Sequence, residues 1–312
     1  MKMATLSRPY AKVGGLESAG GSASPSSIAR MRGWLAAWLP AIPLLLLVST
    51  CLIAPVVVLV WQSFTGMGET GLSLDLWFRV LGQRANQDAI LTSLLLAASC
   101  ATVTLAIGAP LAWMISRMLR GSRAFWLGLL NVAANFGGIG LAFAYMATIG
   151  SVGMLTLMVQ GLGLPFEAPR EGSLPALLMA YEYTNVPLFV LLTIPAMSIL
   201  RDDWWEAAQV AAATRLVFWR RIGVPILAPF LMAGWLLIFT WTLGIYGIAY
   251  GLAGQSGATA VHLITLQIGS ALQSDVLLGP GRAAILAVVL MLFATTSLIL
   301  YRMILRRALR WL

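Results

Sequence analysis

Charge and histidine are scarce in this chain. Only 10% of its 312 residues are charged, one is His and two are Cys. A soluble domain carries about a quarter charged residues, so that class is excluded at the outset. A lone histidine, His262, cannot form a His-pair metal site, and no His-Glu-x-x-His occurs. Cys51 and Cys100 fall inside apolar runs, where two small core residues are the simplest reading. Gly-x-x-x-x-Gly-Lys-Ser/Thr is absent, so the chain is expected to bind no ATP of its own, and there is no Gly-x-Ser-x-Gly nucleophile turn. An enzyme is left without a catalytic set, and neither cofactor nor metal is expected in this chain.

What fills the sequence is apolar. Hydrophobic residues make up 60% and the mean hydropathy is +0.88. Six runs, near 36–62, 89–116, 124–149, 173–199, 228–252 and 281–304, approach or exceed the roughly 18–20 residues that cross a bilayer. Lipid offers the backbone no partner, so each run must be a helix. The fold class is an all-α integral membrane protein with six transmembrane helices. The first run is long: Trp34 to Trp61 would reach about 42 Å as one helix. Pro40, Pro43 and Pro55 predict a bend in it. Residues 1–33, rich in Ser, Gly and Ala, read as a disordered cytoplasmic tail, and 34–312 as one membrane domain.

Charge sets the orientation. Six spans put both termini on one side. With the termini inside, the inner segments hold Lys2, Arg8, Lys12, Arg30 and Arg32; Arg117, Arg120 and Arg123; Arg201, Arg215, Arg220 and Arg221; and Arg302, Arg306, Arg307 and Arg310. Only Arg79, Arg84, Arg170 and Arg282 remain outside. Sixteen of twenty basic residues thus obey the positive-inside rule, and the net charge of +9 reads as topology, with no nucleic-acid partner.

A polar, basic island interrupts the apolar pattern at about 200–227. Asp202 and Asp203 suit a helix start, and Ala207, Ala208, Ala211, Ala212 and Ala213 favour helix. Arg215, Arg220 and Arg221 alternate with Leu216, Val217, Phe218 and Trp219, and Pro225 and Pro229 lead into the fifth span. An amphipathic helix lying on the inner leaflet is one reading. The other comes from spacing. Glu206-Ala207-Ala208, three residues, Ala212, nine residues and Ile222-x-Val224-Pro225 resemble the EAA loop of ABC importer permeases, with Ala212 where Gly is usual and Val224 where Leu is usual. Asn135 to Tyr145, Tyr181 to Pro187 and Tyr246 to Tyr250 are similar to segments of the polyamine-type (spermidine-putrescine) branch, and the likeness covers roughly 90–300.

The resemblance implies a type I, MetI-like permease fold. It implies two short helices at an angle that sit in a groove of a cytoplasmic ATPase subunit, two of which bind ATP and Mg. It also implies a second permease subunit, identical or not, and an extracytoplasmic solute-binding protein, in a bacterial inner membrane. Glu206, Ala207, Ala208, Ala212, Arg215, Phe218, Trp219, Ile222 and Pro225 are then the docking residues, with Phe218 and Trp219 as apolar anchors. Ala at 212 resists the left-handed turn that Gly allows, so the bend is expected to soften or to move to Thr214.

One carboxylate, Glu182, falls inside the fourth run, where a charge is costly. Pro187 deprives the Tyr183 carbonyl of its helical donor, and Thr184 and Asn185 are candidates to satisfy it. Tyr181, Glu182, Tyr183 and Asn185, with Tyr246 and Tyr250 of the fifth run, form a candidate solute path, suited to a polyamine-like cation. Plain packing competes with that role at each position. Gly137-Gly138-x-Gly140 reads as close helix packing. An ion-gradient-driven secondary transporter is the alternative, which one intramembrane carboxylate supports thinly.

Overall fold

The computed structural model describes residues 41–65, 74–254, 261–274 and 279–308. The expected tail at 1–33 lies outside them, as do residues 34–40. The chain divides into two units, 1–56 and 57–312. Six helices are long and apolar enough to cross a membrane, and all the described secondary structure is helical.

The first span runs Ile42–Thr65. It opens as α1, Ile42–Val48, passes through a π-helical turn at Ser49–Ile53, and continues as α2, Ala54–Thr65. The irregular turn lies just ahead of Pro55, where the missing amide forbids a regular ladder. Leu44, Leu46, Leu47 and Leu52 are exposed, as lipid-facing side chains would be. At the far end, the Trp77 indole donates to the Ser63 carbonyl at 2.8 Å. Trp77 belongs to α3, Asp75–Gly82, which precedes α4, Arg84–Ser116.

The next stretch departs from expectation. One unbroken span was expected at 124–149. The structure instead has α5, Arg120–Asn135, a break at Phe136 and Gly137, and α6, Gly138–Ile149, followed after Gly150–Gly153 by α7, Met154–Gly161. Gly138 has φ +72°, a conformation that costs a residue with Cβ about 1 kcal/mol or more, so the glycine pair is what lets the helix stop and restart. Of these pieces, Gly138–Gly161 has the length and composition of a span.

The fourth span, α8, is Leu174–Met197, capped by the Ser173 hydroxyl. Two short helices follow, α9 at Asp202–Val210 and α10 at Arg215–Phe218. A π turn, Trp219–Gly223, leads into α11, Val224–Leu243. The fifth span also differs from the expected 228–252. Its helix stops at Leu243 and restarts as α12, Gly247–Ala253. α13, Ile264–Ser274, follows, and α14, Gly279–Ala308, closes the bundle.

In lipid the hydrophobic effect does not hold helices together, so close approach through small residues must. α4 packs chiefly on α8, and α11 on both α4 and α14. Phe189 of α8, fully buried, lies between Gly108 of α4 and Gly234 of α11. A Cβ at Gly108 would lie 2.6 Å from the ring, and one at Gly234 2.7 Å. The two helix restarts also meet. A Cβ at Gly247 would come 2.9 Å from Gly138 Cα, so of the expected packing glycines Gly138 meets α12, whereas a Cβ at Gly140 would have open space.

Candidate functional site

The island at 200–227 folds as a helical elbow. α9 has Asp202 and Asp203 in its first turn, although the N-cap residue is Arg201 and no side chain caps the helix. Asp203 pairs with Arg201, and Asp202 with Arg117. At the other end the helix closes with two reverse bonds. The Ala213 amide donates to the Ala208 carbonyl at 2.9 Å, and the Ala212 amide to that of Gln209 at 2.9 Å. This is the Schellman arrangement, which requires a left-handed residue between. Ala212 supplies it at φ 54°, the one non-glycine at positive φ among the described residues. The expected softening of the bend, or its shift to Thr214, is therefore corrected. The turn stays at Ala212, and Thr214 instead caps α10, its hydroxyl accepting from the Val217 amide at 3.4 Å.

Leu200, Ala208 and Phe218 form the elbow's own core, with Trp204, Trp205, Ala213, Trp219 and Ile222 packed around them. Phe218 is 4% exposed and meets the Trp205 ring edge-on at 5.2 Å. Trp219 meets Trp113 of α4 edge-on at 4.8 Å, and its ring fills the space over Gly223, where a Cβ would lie 2.6 Å away. The expected role of Phe218 and Trp219 as outward anchors is thus corrected. They hold the elbow together and tie it to a span, their large rings filling the angle between two short helices together with Trp204 and Trp205. Ile222 shares that inward position. The outward residues are Glu206, Ala207, Arg215 and Pro225, together with Val210 at 91% exposure and Leu216 at 78%. Val210 and Leu216, an unpaired apolar pair on a polar segment, were not singled out from sequence.

The intramembrane residues do not converge on one point. On a helix, neighbours in sequence face different sides. Tyr181, 1% exposed, donates to the Ile245 carbonyl at 3.4 Å, at the break between α11 and α12. Tyr183 is exposed and stands edge-on to Phe136 at 6.2 Å. Asn185 donates to the Thr242 hydroxyl of α11 at 3.0 Å. Glu182 accepts from the Thr104 hydroxyl of α4 at 2.7 Å through Oε2, while its buried Oε1 has no hydrogen-bond partner among the described residues. Thr184 bonds the Tyr181 carbonyl at 3.1 Å. Neither Thr184 nor Asn185 therefore serves the Tyr183 carbonyl, as their proximity to Pro187 suggests. Tyr246 and Tyr250 stack on each other at 5.4 Å and border a separate cleft with His262 and Gln267.

Comparison with known proteins bears on this geometry. No protein-family model matches the sequence. The chain is 25% identical over 222 residues to the molybdenum transport system permease protein ModB of Mycobacterium bovis, covering 70% of this chain and 76% of that protein. It is 38% identical over 77 residues to the sulfate transport system permease protein CysT of Salmonella typhimurium, a match spanning only 28% of that protein. It is 25% identical over 231 residues to the inner membrane ABC transporter permease protein YdcU of Escherichia coli, covering 73% of it. In three dimensions it superposes on a chain of a bacterial ABC transporter involved in the import of the acidic polysaccharide alginate, with TM-score 0.68, 18% identity, 87% of this chain and 96% of the other. A bacterial alginate ABC transporter in complex with an alginate pentasaccharide-bound periplasmic protein gives 0.69. The chain has the fold of an ABC importer permease. Its six helices long and apolar enough to cross a membrane make it a multi-pass membrane protein, and the elbow follows the fourth of them, Leu174–Met197, in the chain.

Proposed function

We propose that this protein is the permease subunit of an ABC importer, working by ATP-driven alternating access without catalysing covalent chemistry itself. The observation that carries the reading is the elbow. A rigid, left-handed-turned pair of short helices, held to α4 by Trp219 and Trp113, presents Glu206, Val210 and Leu216 to solvent on the arginine-rich side. In this reading ATP and Mg bind two partner ATPase subunits, which dock on the elbow. Exposed Arg215, an anchor type favoured at interfaces, beside the Glu206 carboxylate and exposed apolar side chains suits such a groove. A second permease completes the pathway, an extracytoplasmic binding protein delivers solute, and both termini face the cytoplasm of a bacterial inner membrane.

For the solute, the relatives support an anion. Sulfate and the acidic polysaccharide alginate are anionic, and nothing in the comparisons supports the polyamine-like cation expected from Glu182. Glu182, bonded to Thr104, is then assigned to gating between α8 and α4, with Tyr181, Tyr183 and Asn185 on other faces of α8 and Tyr246 and Tyr250 at a separate cleft.

The test is uptake into proteoliposomes containing this chain with its partner subunits. Uptake that requires ATP and survives collapse of the proton gradient supports the importer. Uptake that persists without ATP and vanishes with the gradient supports the secondary transporter instead. Sulfate and putrescine as labelled solutes separate the anion from the cation.

A further inference from the structure

The cytoplasmic end of α4 grips both ends of the elbow. Arg117 is the residue at which α4 stops, serving as its C-cap. Its guanidinium lies over the Trp113 ring at 4.2 Å, donates from Nη2 to the Leu200 carbonyl at 2.7 Å, and pairs through Nη1 with Asp202. Leu200 and Asp202 are where the chain passes from α8 into α9. One turn earlier, Trp113 meets Trp219, where the chain passes from α10 towards α11. Two side chains four residues apart, on one helix face, therefore touch both ends of a segment more than eighty residues away. The contacts are directional. A guanidinium is a rigid fork whose donors can serve two acceptors at once while its face stacks on an indole.

We propose that Arg117 is a positioning residue for transport. It fixes the elbow to α4, so that movement imposed on the elbow is carried into α4 and, through Phe189, into α8 and α11. This rests on the importer reading above. The ion pair alone is not enough for the role, since Asp202 is 77% exposed and surface pairs are weak. The weight falls on the part-buried carbonyl bond and the indole stack, which are shape-specific. Without them the elbow still folds, because its own core of Leu200, Ala208 and Phe218 contains neither Arg117 nor Asp202. Its hold on α4 is then reduced to the packing of Trp113 against Trp219 and the elbow core.

The experiment uses the complete reconstituted transporter and reads two quantities, solute taken up and ATP hydrolysed. R117A is expected to keep its ATPase partners and its ATP hydrolysis while uptake per ATP falls about tenfold, within the usual range of coupling between sites. R117K keeps the cation but offers one compact donor group for two acceptors, so a smaller fall of about threefold is expected. R117K carries the test if R117A does not accumulate. Uptake per ATP equal to wild type in either variant overturns the proposal, as does a loss of bound ATPase that accounts for the whole fall. If the unaltered chain retains no ATPase at all, the importer reading itself has failed, which is a different result.

Discussion

The Ala213 amide closes on the Ala208 carbonyl at 2.9 Å, across a single left-handed residue that is not glycine. That bond fixes the angle of the elbow, and it does so at a residue under backbone strain. A left-handed conformation costs an L-residue with Cβ about 1–2 kcal/mol. Replacing Ala212 by Gly removes the strain but adds unfolded-state freedom. A212G should therefore stabilise the elbow by about 0.5–1 kcal/mol net. Amide exchange at 212 and 213 should slow, with uptake preserved. A212V, branched at Cβ, should speed exchange at the same amides and reduce retention of the ATPase subunits.

The inward and outward faces of the elbow should separate in mutation. F218A empties a buried site and should cost about 3–5 kcal/mol, enough to loosen the elbow and lower protein yield. L216A removes an exposed side chain and should leave thermal stability within about 0.5 kcal/mol. It should nonetheless weaken binding of the ATPase, measured by co-purification under increasing detergent washes. Equal losses of stability in both variants would contradict the assignment of faces.

How much of this was legible in the sequence differs by element. The six spans follow from run length, because lipid imposes a helix of fixed length on any apolar run. The elbow was legible because Asp202, the alanines and the Glu206 spacing occur together. Its turn was not, since propensity argues against Ala at φ 54° and only the tertiary core explains its retention: Ala213 must reach Ala208 for Leu200 and Phe218 to pack. The breaks at Gly137 and Tyr246 were missed because hydropathy stays high through both. Arg117 and Trp113 carry a faint signal, an aromatic and an arginine four apart at a helix end. Their partners at Leu200, Asp202 and Trp219 lie across the fold, where one sequence holds no information. Phe218 and Trp219 read as anchors because an aromatic on a polar segment looks the same whether it faces out or in.

The glycine contacts on Phe189 give a prediction for the bundle. G108A places a methyl 2.6 Å from the ring, which must shift, and overpacking of that kind costs about 1–3 kcal/mol. Thermal stability in detergent should fall. F189L in the same chain should recover part of the loss by vacating the ring edge. Failure of F189L to recover any of it would show that the ring is not what the methyl meets.

Glu182 and Thr104 link α8 to α4 inside the membrane. E182Q retains an acceptor for the Thr104 hydroxyl and removes the charge, whereas T104V removes the hydroxyl and keeps the carboxylate. If Glu182 gates the path, E182Q should change uptake kinetics at both limiting and saturating solute while leaving assembly intact. T104V should show a weaker form of the same change. Unaltered kinetics in E182Q would remove Glu182 from the path.

The most direct test of the whole account is where the elbow faces and what covers it. With the native Cys51 and Cys100 changed to Ser, a cysteine at Glu206 can be probed with a membrane-impermeant maleimide in vesicles of either orientation. The account predicts labelling only in inside-out vesicles stripped of peripheral proteins, and protection when the ATPase subunits are added back. Labelling from the outside, or labelling that the ATPase leaves unchanged, would contradict it.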